Sequence, residues 1–140
     1  MLVKELQTLG FVAQGVDISP WSVENAVCPG LQQADLRSLP FAAHAFDCLI
    51  SQDVMEHIHP EDMDGVLSEQ RRILAPSGVA YHFIPFYDSD GPFQLDAHLC
   101  NASKKWWDAK LSQHFRVARY ASTDQWNYTN GILATYYELR

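Results

Sequence analysis

The sequence predicts an α/β domain: a mostly parallel sheet that finishes in an antiparallel strand pair. Three observations predict it. Residues 46–86 read as strand, loop, helix, turn and strand, a βαβ unit whose strands should lie parallel with a right-handed crossover. Asp17, Asp35 and the 51–53 segment each follow a stretch that reads as a strand, so polar groups stand at successive strand carboxyl ends. The last two β-rich stretches, 115–121 and 131–139, are too close for a crossover helix and should pair antiparallel.

Taken in order, Leu2, Val3, Leu6 and Leu9 make a helical stripe, with Gly10 as C-cap. The stripe needs cover, so this helix should pack on the sheet. Phe11 to Val16 is expected to be a strand, ending at Asp17. Ser19 and Pro20 fit an N-cap and a first helical residue, and Cys28-Pro29-Gly30 ends that short helix. Leu31 to Ala34 is a brief strand before Asp35, and Leu36 to Ala45 is a loop. Phe46 to Ile50 is a buried strand carrying Cys48 and ending in Ser51, Gln52 and Asp53. The helix of the βαβ unit runs from Pro60 to Leu74, with Met63, Val66, Leu67, Ile73 and Leu74 on one face. Pro76-Ser77-Gly78 stops it, and Val79 to Phe86 is the next strand. Residues 87–102 read as an irregular lid or binding loop. Ser103 should cap a helix over Lys104–His114 with Trp106, Trp107 and Leu111 on its apolar face.

A chain of 140 residues is read as one domain, 1–140, large enough for a true core. With 47% hydrophobic and 19% charged residues it has a globular composition, and no apolar run suffices to span a bilayer. The three cysteines are odd in number and irregularly spaced, which suggests reduced thiols and a cytoplasmic protein. The net charge of −7 argues against a nucleic-acid or membrane-surface binder. Five of the ten basic residues, Lys104, Lys105, Lys110, Arg116 and Arg119, cluster near the C-terminus, and are read as a solvated helix face.

In open parallel sheets ligands bind beyond the carboxyl ends of the strands. The acids at these ends therefore mark a ligand crevice. The run LPFAAHAFDCLISQDVMEHI, followed by RRILAPSG and an apolar strand, resembles the class I S-adenosylmethionine-dependent methyltransferases. The resemblance implies a Rossmann-like methyltransferase fold, S-adenosylmethionine as cofactor, and methyl transfer to a small-molecule or glycan- or lipid-linked acceptor. It assigns Asp17, with Ile18 beside it, to the cofactor ribose, since a carboxylate offers two acceptor oxygens to a cis-diol. Asp35 and Leu36 would meet the adenine, and Ser51, Gln52 and Asp53 would lie along the cofactor. Glu56-His57 matches a pair that is mostly structural in the family. Asp96-Ala97-His98-Leu99, followed by Trp106-Trp107, is similar to a His-then-Trp pattern, and makes His98 the candidate general base. His57-x-His59 is half a metal pattern with no matching third ligand, so no metal is expected.

The family's first strand and glycine-rich loop have no counterpart ahead of the 2–9 helix, so an N-terminally truncated member with impaired cofactor binding is expected. That strand lies between two others in the family sheet. The expected remedies are direct pairing of those neighbours or completion by a second copy, a possible homodimer. Two other readings compete: an NAD-binding oxidoreductase domain, for which Asp17 would serve equally well, and a non-catalytic methyltransferase-like binding domain.

Overall fold

A computed structural model describes the backbone of residues 2–87, 91–122 and 133–139, and side chains as far as residue 116. The described chain forms two compact units, Met1–Pro40 and Phe41–Arg140.

The first unit is a helix and two short strands. Helix α1 (Leu2–Thr8) ends at Gly10, whose φ of +90° closes a Schellman turn: Phe11 N–H donates to Leu6 O, and Gly10 N–H to Gln7 O, both at 3.0 Å. Strand β1 (Gly15–Asp17) pairs parallel with β2 (Leu31–Gln33), and helix α2 (Pro20–Glu24) joins them. The predicted strand over 11–16 is thus reduced to three residues, because the β2 ladder is only three residues long. Ser19 caps α2, accepting from the Ser22 N–H. The expected packing of α1 is only partial: Val3 reaches β1, whereas Leu2 and Leu9 of the predicted stripe are 41% and 73% exposed. Val3 lies so close to Gly15 that a Cβ there would meet Val3 Cγ2 at 2.7 Å. Gln7 Nε2 clamps the helix by donating to the carbonyls of Ala13 and Pro29, each at 2.9 Å.

The second unit carries a four-stranded sheet in the order β3-β4-β8-β7. Strand β3 (Phe46–Gln52) is parallel to β4 (Leu74–Phe86), and β4 is antiparallel to β8 (Leu133–Leu139). Strand β7 (Val117–Ser122) pairs antiparallel with β8, as the sequence predicts. The expected start of that last strand, Gly131, lies outside the described residues, as do residues 88–90 of the 87–102 segment. Helix α3 (Met63–Ile73) provides the crossover. Its predicted face is buried throughout: Met63, Val66 and Leu67 are at 0% exposure and Ile73 at 3%. Pro60 to Asp62 form a turn into the helix rather than its first turn. At the other end Leu74 leaves the helix and pairs with Phe46 across a bulge before Cys48 pairs with Val79.

Two expectations are corrected. Within the first unit β1 pairs with β2, and within the second β3 has β4 as its ladder neighbour. β3 is thus an edge strand of the second unit's sheet among the described residues, and Cys48, expected to be buried, is exposed. The described part of the 87–102 segment is not irregular throughout. It holds a hairpin of β5 (Phe93–Leu95) and β6 (His98–Asn101), turned at Asp96 and Ala97. Asp96 takes a φ of 50°, which Asp tolerates better than most residues. After it, α4 (Lys104–Leu111) is capped by Ser103 and buries Trp107 and Leu111.

Candidate functional site

In the first unit Asp17 ends β1, half-buried. Its Oδ1 accepts the Ser19 N–H at 2.8 Å, which orients the carboxylate. The second oxygen remains to receive donors, which fits a ribose diol. Ile18 beside it is 69% exposed, an apolar surface next to the carboxylate. Asp35 follows β2 and is engaged locally. Arg37 donates to it from the backbone N–H at 2.8 Å and from the guanidinium Nη2 at 2.7 Å. These bonds hold the Asp35 carboxyl below its ordinary range. Leu36 is half-buried between Asp35 and Arg37.

In the second unit the three neighbours 51–53 face different surroundings. β3 continues through Gln52, so the side chains of Ser51 and Gln52 alternate. Ser51 turns inward to the buried His82, Oγ to Nδ1 at 2.6 Å, which leaves its hydroxyl committed. Gln52 and Asp53 are exposed. Asp53 adopts a φ of 52°, and its N–H donates to Phe83 O at 3.2 Å. Asp tolerates this left-handed conformation better than most residues, as at Asp96.

Just beyond, a 3-10 turn (Met55–His57) carries a cluster that spacing did not announce. Glu56, His57 and His98 each bring one ligand-capable atom within 4.8 Å of the others. The rings of His57 and His98 meet edge to face at 4.8 Å. His57 Nδ1 lies 2.9 Å from Ala97 O, so it carries the proton and donates, tying the hairpin turn to the 3-10 turn. Asn101 settles the ring of His98. Its Nδ2 donates to Phe93 O and His98 O, both at 3.1 Å, which aims Oδ1 at His98 Nδ1, 3.2 Å away. His98 Nδ1 therefore donates, and Nε2 holds the lone pair. The Tyr87 hydroxyl lies 3.3 Å from the same Nδ1. Glu56 is 1% exposed, and its Oε2 has no hydrogen-bond partner. Burial pushes its carboxyl up to about 7.

Sequence reasoning set Glu56-His57 aside as a structural pair and had no place for Tyr87 or Asn101. The usable signal was the H-x-x-N spacing of His98 and Asn101, which lets one side chain orient the other. Two of the five basic residues of the C-terminal cluster are ion-paired. Lys104 pairs with Asp108, and Lys110 pairs with Asp64 at 3.0 Å. His114 Nε2 lies 3.0 Å from the same Asp64 carboxylate, and these contacts lower the Asp64 pKa. The side chain of Arg119 lies outside the described residues. No helix among the described residues is long and apolar enough to cross a membrane.

Comparisons with known proteins agree with this geometry. The family profile described as a methyltransferase domain matches residues 1–82. No curated protein matches the chain by sequence. Among solved structures, a SAM-dependent methyltransferase from Methanosarcina mazei superposes with a TM-score of 0.79 at 17% identity, covering 97% of this chain and 84% of that one. A protein from Pyrococcus horikoshii gives 0.74 at 18% identity, over 99% of this chain and 76% of that one. The 1,6-didemethyltoxoflavin-N1-methyltransferase of Burkholderia thailandensis, solved with S-adenosylhomocysteine, gives 0.75 at 17% identity. It is matched over 98% of this chain, which spans 64% of its length. With the family profile covering more than half of the sequence and the Rossmann-like fold shared with these structures, the chain belongs to the class I S-adenosylmethionine-dependent methyltransferases.

Proposed function

We propose that this chain methylates a hydroxyl of a small-molecule or glycan- or lipid-linked acceptor, with His98 as the base. Asp17 holds the ribose hydroxyls of S-adenosylmethionine, Ile18 flanks it, and Asp35 and Leu36 meet the adenine. Ser51 contributes backbone only, because its hydroxyl is bound to His82, whereas Gln52 and Asp53 present side chains. When bound, the cofactor supplies a methyl group on a sulfonium, to which the acceptor oxygen bonds as the carbon–sulfur bond breaks. The chain positions the acceptor and accepts its proton.

The observation that carries the assignment to His98 is the fixed tautomer. Asn101 Oδ1 accepts a hydrogen bond from Nδ1–H, so Nε2 has its lone pair available for an acceptor hydroxyl. Three unpaired thiols, Cys28, Cys48 and Cys100, support a reducing, cytoplasmic setting. The acidic balance of −7 and the paired lysines support a substrate other than nucleic acid or a membrane surface. The edge of β3 supports a homodimer in which a second copy pairs along it.

Calorimetric titration of S-adenosylhomocysteine tests the cofactor half. Binding that Asp17→Ala abolishes is the expected result. A folded chain that ignores S-adenosylhomocysteine but is protected against heat by NADH would turn the assignment toward an oxidoreductase domain.

A further inference from the structure

We propose that Glu56, His57 and His98 form a site for a divalent first-row transition cation, ligated by the Nε2 atoms of both imidazoles and by Glu56 Oε2. Three observations converge on it. Ligand-capable atoms of the three residues already lie within 4.8 Å of one another. Ligands about 2.0–2.2 Å from a shared ion sit roughly 3.4 Å apart, so modest side-chain rotation closes the set. Both rings have their Nδ1 protons tied to an acceptor, His57 to Ala97 O and His98 to Asn101 Oδ1. That is how metal-binding imidazoles are held, with the outer acceptor fixing the tautomer and raising the basicity of the other nitrogen. The Glu56 carboxylate is almost fully buried, and its Oε2 has no partner. A buried carboxylate oxygen of this kind is normally paired or bound to a metal.

The donor set fixes the class of ion. Two neutral imidazoles and one carboxylate suit Zn2+, Fe2+ or Co2+ better than Ca2+ or Mg2+, which prefer all-oxygen shells. The half-exposed His98 and exposed His57 leave one side of the cluster open, so an ion there retains positions for water or an acceptor oxygen. The proposal goes beyond His98 as base. Nε2 accepts the acceptor's proton while the site is metal-free, and a bound cation occupies that lone pair.

The test uses the whole chain, stripped with a chelator and titrated with Zn2+ alone by calorimetry, without methyl donor or acceptor. One equivalent should bind saturably and raise the melting temperature. His57→Gln keeps an N–H for the Ala97 carbonyl but removes the ring lone pair at an exposed position, where folding is not at stake. It should weaken binding on the order of 100-fold. His59→Ala should leave binding unchanged. Co2+ should give a visible d–d absorption band that His98→Ala and Glu56→Gln each remove or shift, in samples that still melt cooperatively. Failure of a folded chain to bind Zn2+, or binding that His57→Gln leaves unaltered, overturns the site and returns the His98 lone pair to the acceptor. Because S-adenosylhomocysteine binding is measured separately, neither result disturbs the cofactor assignment.

Discussion

The Ser51 hydroxyl and the His82 ring meet at 2.6 Å, both buried, because the two residues stand opposite each other in the parallel ladder of β3 and β4. The other ring nitrogen, Nε2, is buried without a partner. The Ser51 bond is thus the one polar contact of the imidazole among the described residues. Ser51→Ala leaves Nδ1 unpaired as well, and should cost about 1–3 kcal/mol in urea unfolding. A loss within a few tenths of a kcal/mol would show that His82 is held by packing alone.

The same burial sets a pH dependence. His82 has its pKa lowered to about 4 by desolvation, against an ordinary value of 6.5. The folded chain keeps the ring neutral while the unfolded chain takes up a proton below 6.5. Its contribution is therefore complete above 6.5 and is lost as pH falls toward 4, by about 3 kcal/mol in all. Unfolding free energies of the parent and His82→Phe, compared across that window, should converge as the pH drops. A constant difference would place the origin elsewhere.

What could be read from the sequence, and what could not, divides along sequence separation. The α3 stripe, the Ser19 and Ser103 caps and the Gly10 stop are local chemistry, and all appear where spacing puts them. Asp17 at the end of β1 was legible for the same reason. Ser51 was legible as a strand-end residue, but its inward turn depends on β3 continuing to Gln52, a boundary that polar composition hides. The Glu56–His57–His98 cluster was not legible at all. His57 and Ala97 are 40 positions apart, and the hairpin that brings them together was read as irregular loop. Its short strands offered only Phe93 and Leu95 as alternating apolar positions.

Thiol chemistry should follow the same map. Cys48 lies exposed on the edge strand, although partial desolvation raises its thiol too, whereas Cys100 is buried with its thiol pushed up to about 12. Since only the thiolate reacts, Ellman's reagent should modify Cys48 in the native protein and reach Cys100 only on unfolding. Cys48→Ser should remove the rapid native phase. A rapid phase that survives the substitution would assign it to the half-buried Cys28 instead.

The α4 region separates packing from surface charge. Trp107 is fully buried, with its ring edge to face against Trp106 at 5.0 Å. Asp64 joins Lys110 and His114 but is itself 56% exposed. An apolar ring removed from a core leaves a cavity, whereas an exposed ion pair trades protein contacts for water at little net change. Trp107→Ala should therefore cost about 3–5 kcal/mol. Asp64→Ala should cost less than about 1 kcal/mol, an effect reduced further by salt. Trp106 is only half-buried and carries the Lys110 ammonium 5.9 Å from its ring, so Trp106→Ala should fall between the two. If Trp107→Ala instead left the melting curve unchanged, the packing that holds α4 would have to rest on Leu111 and its neighbours rather than on this ring.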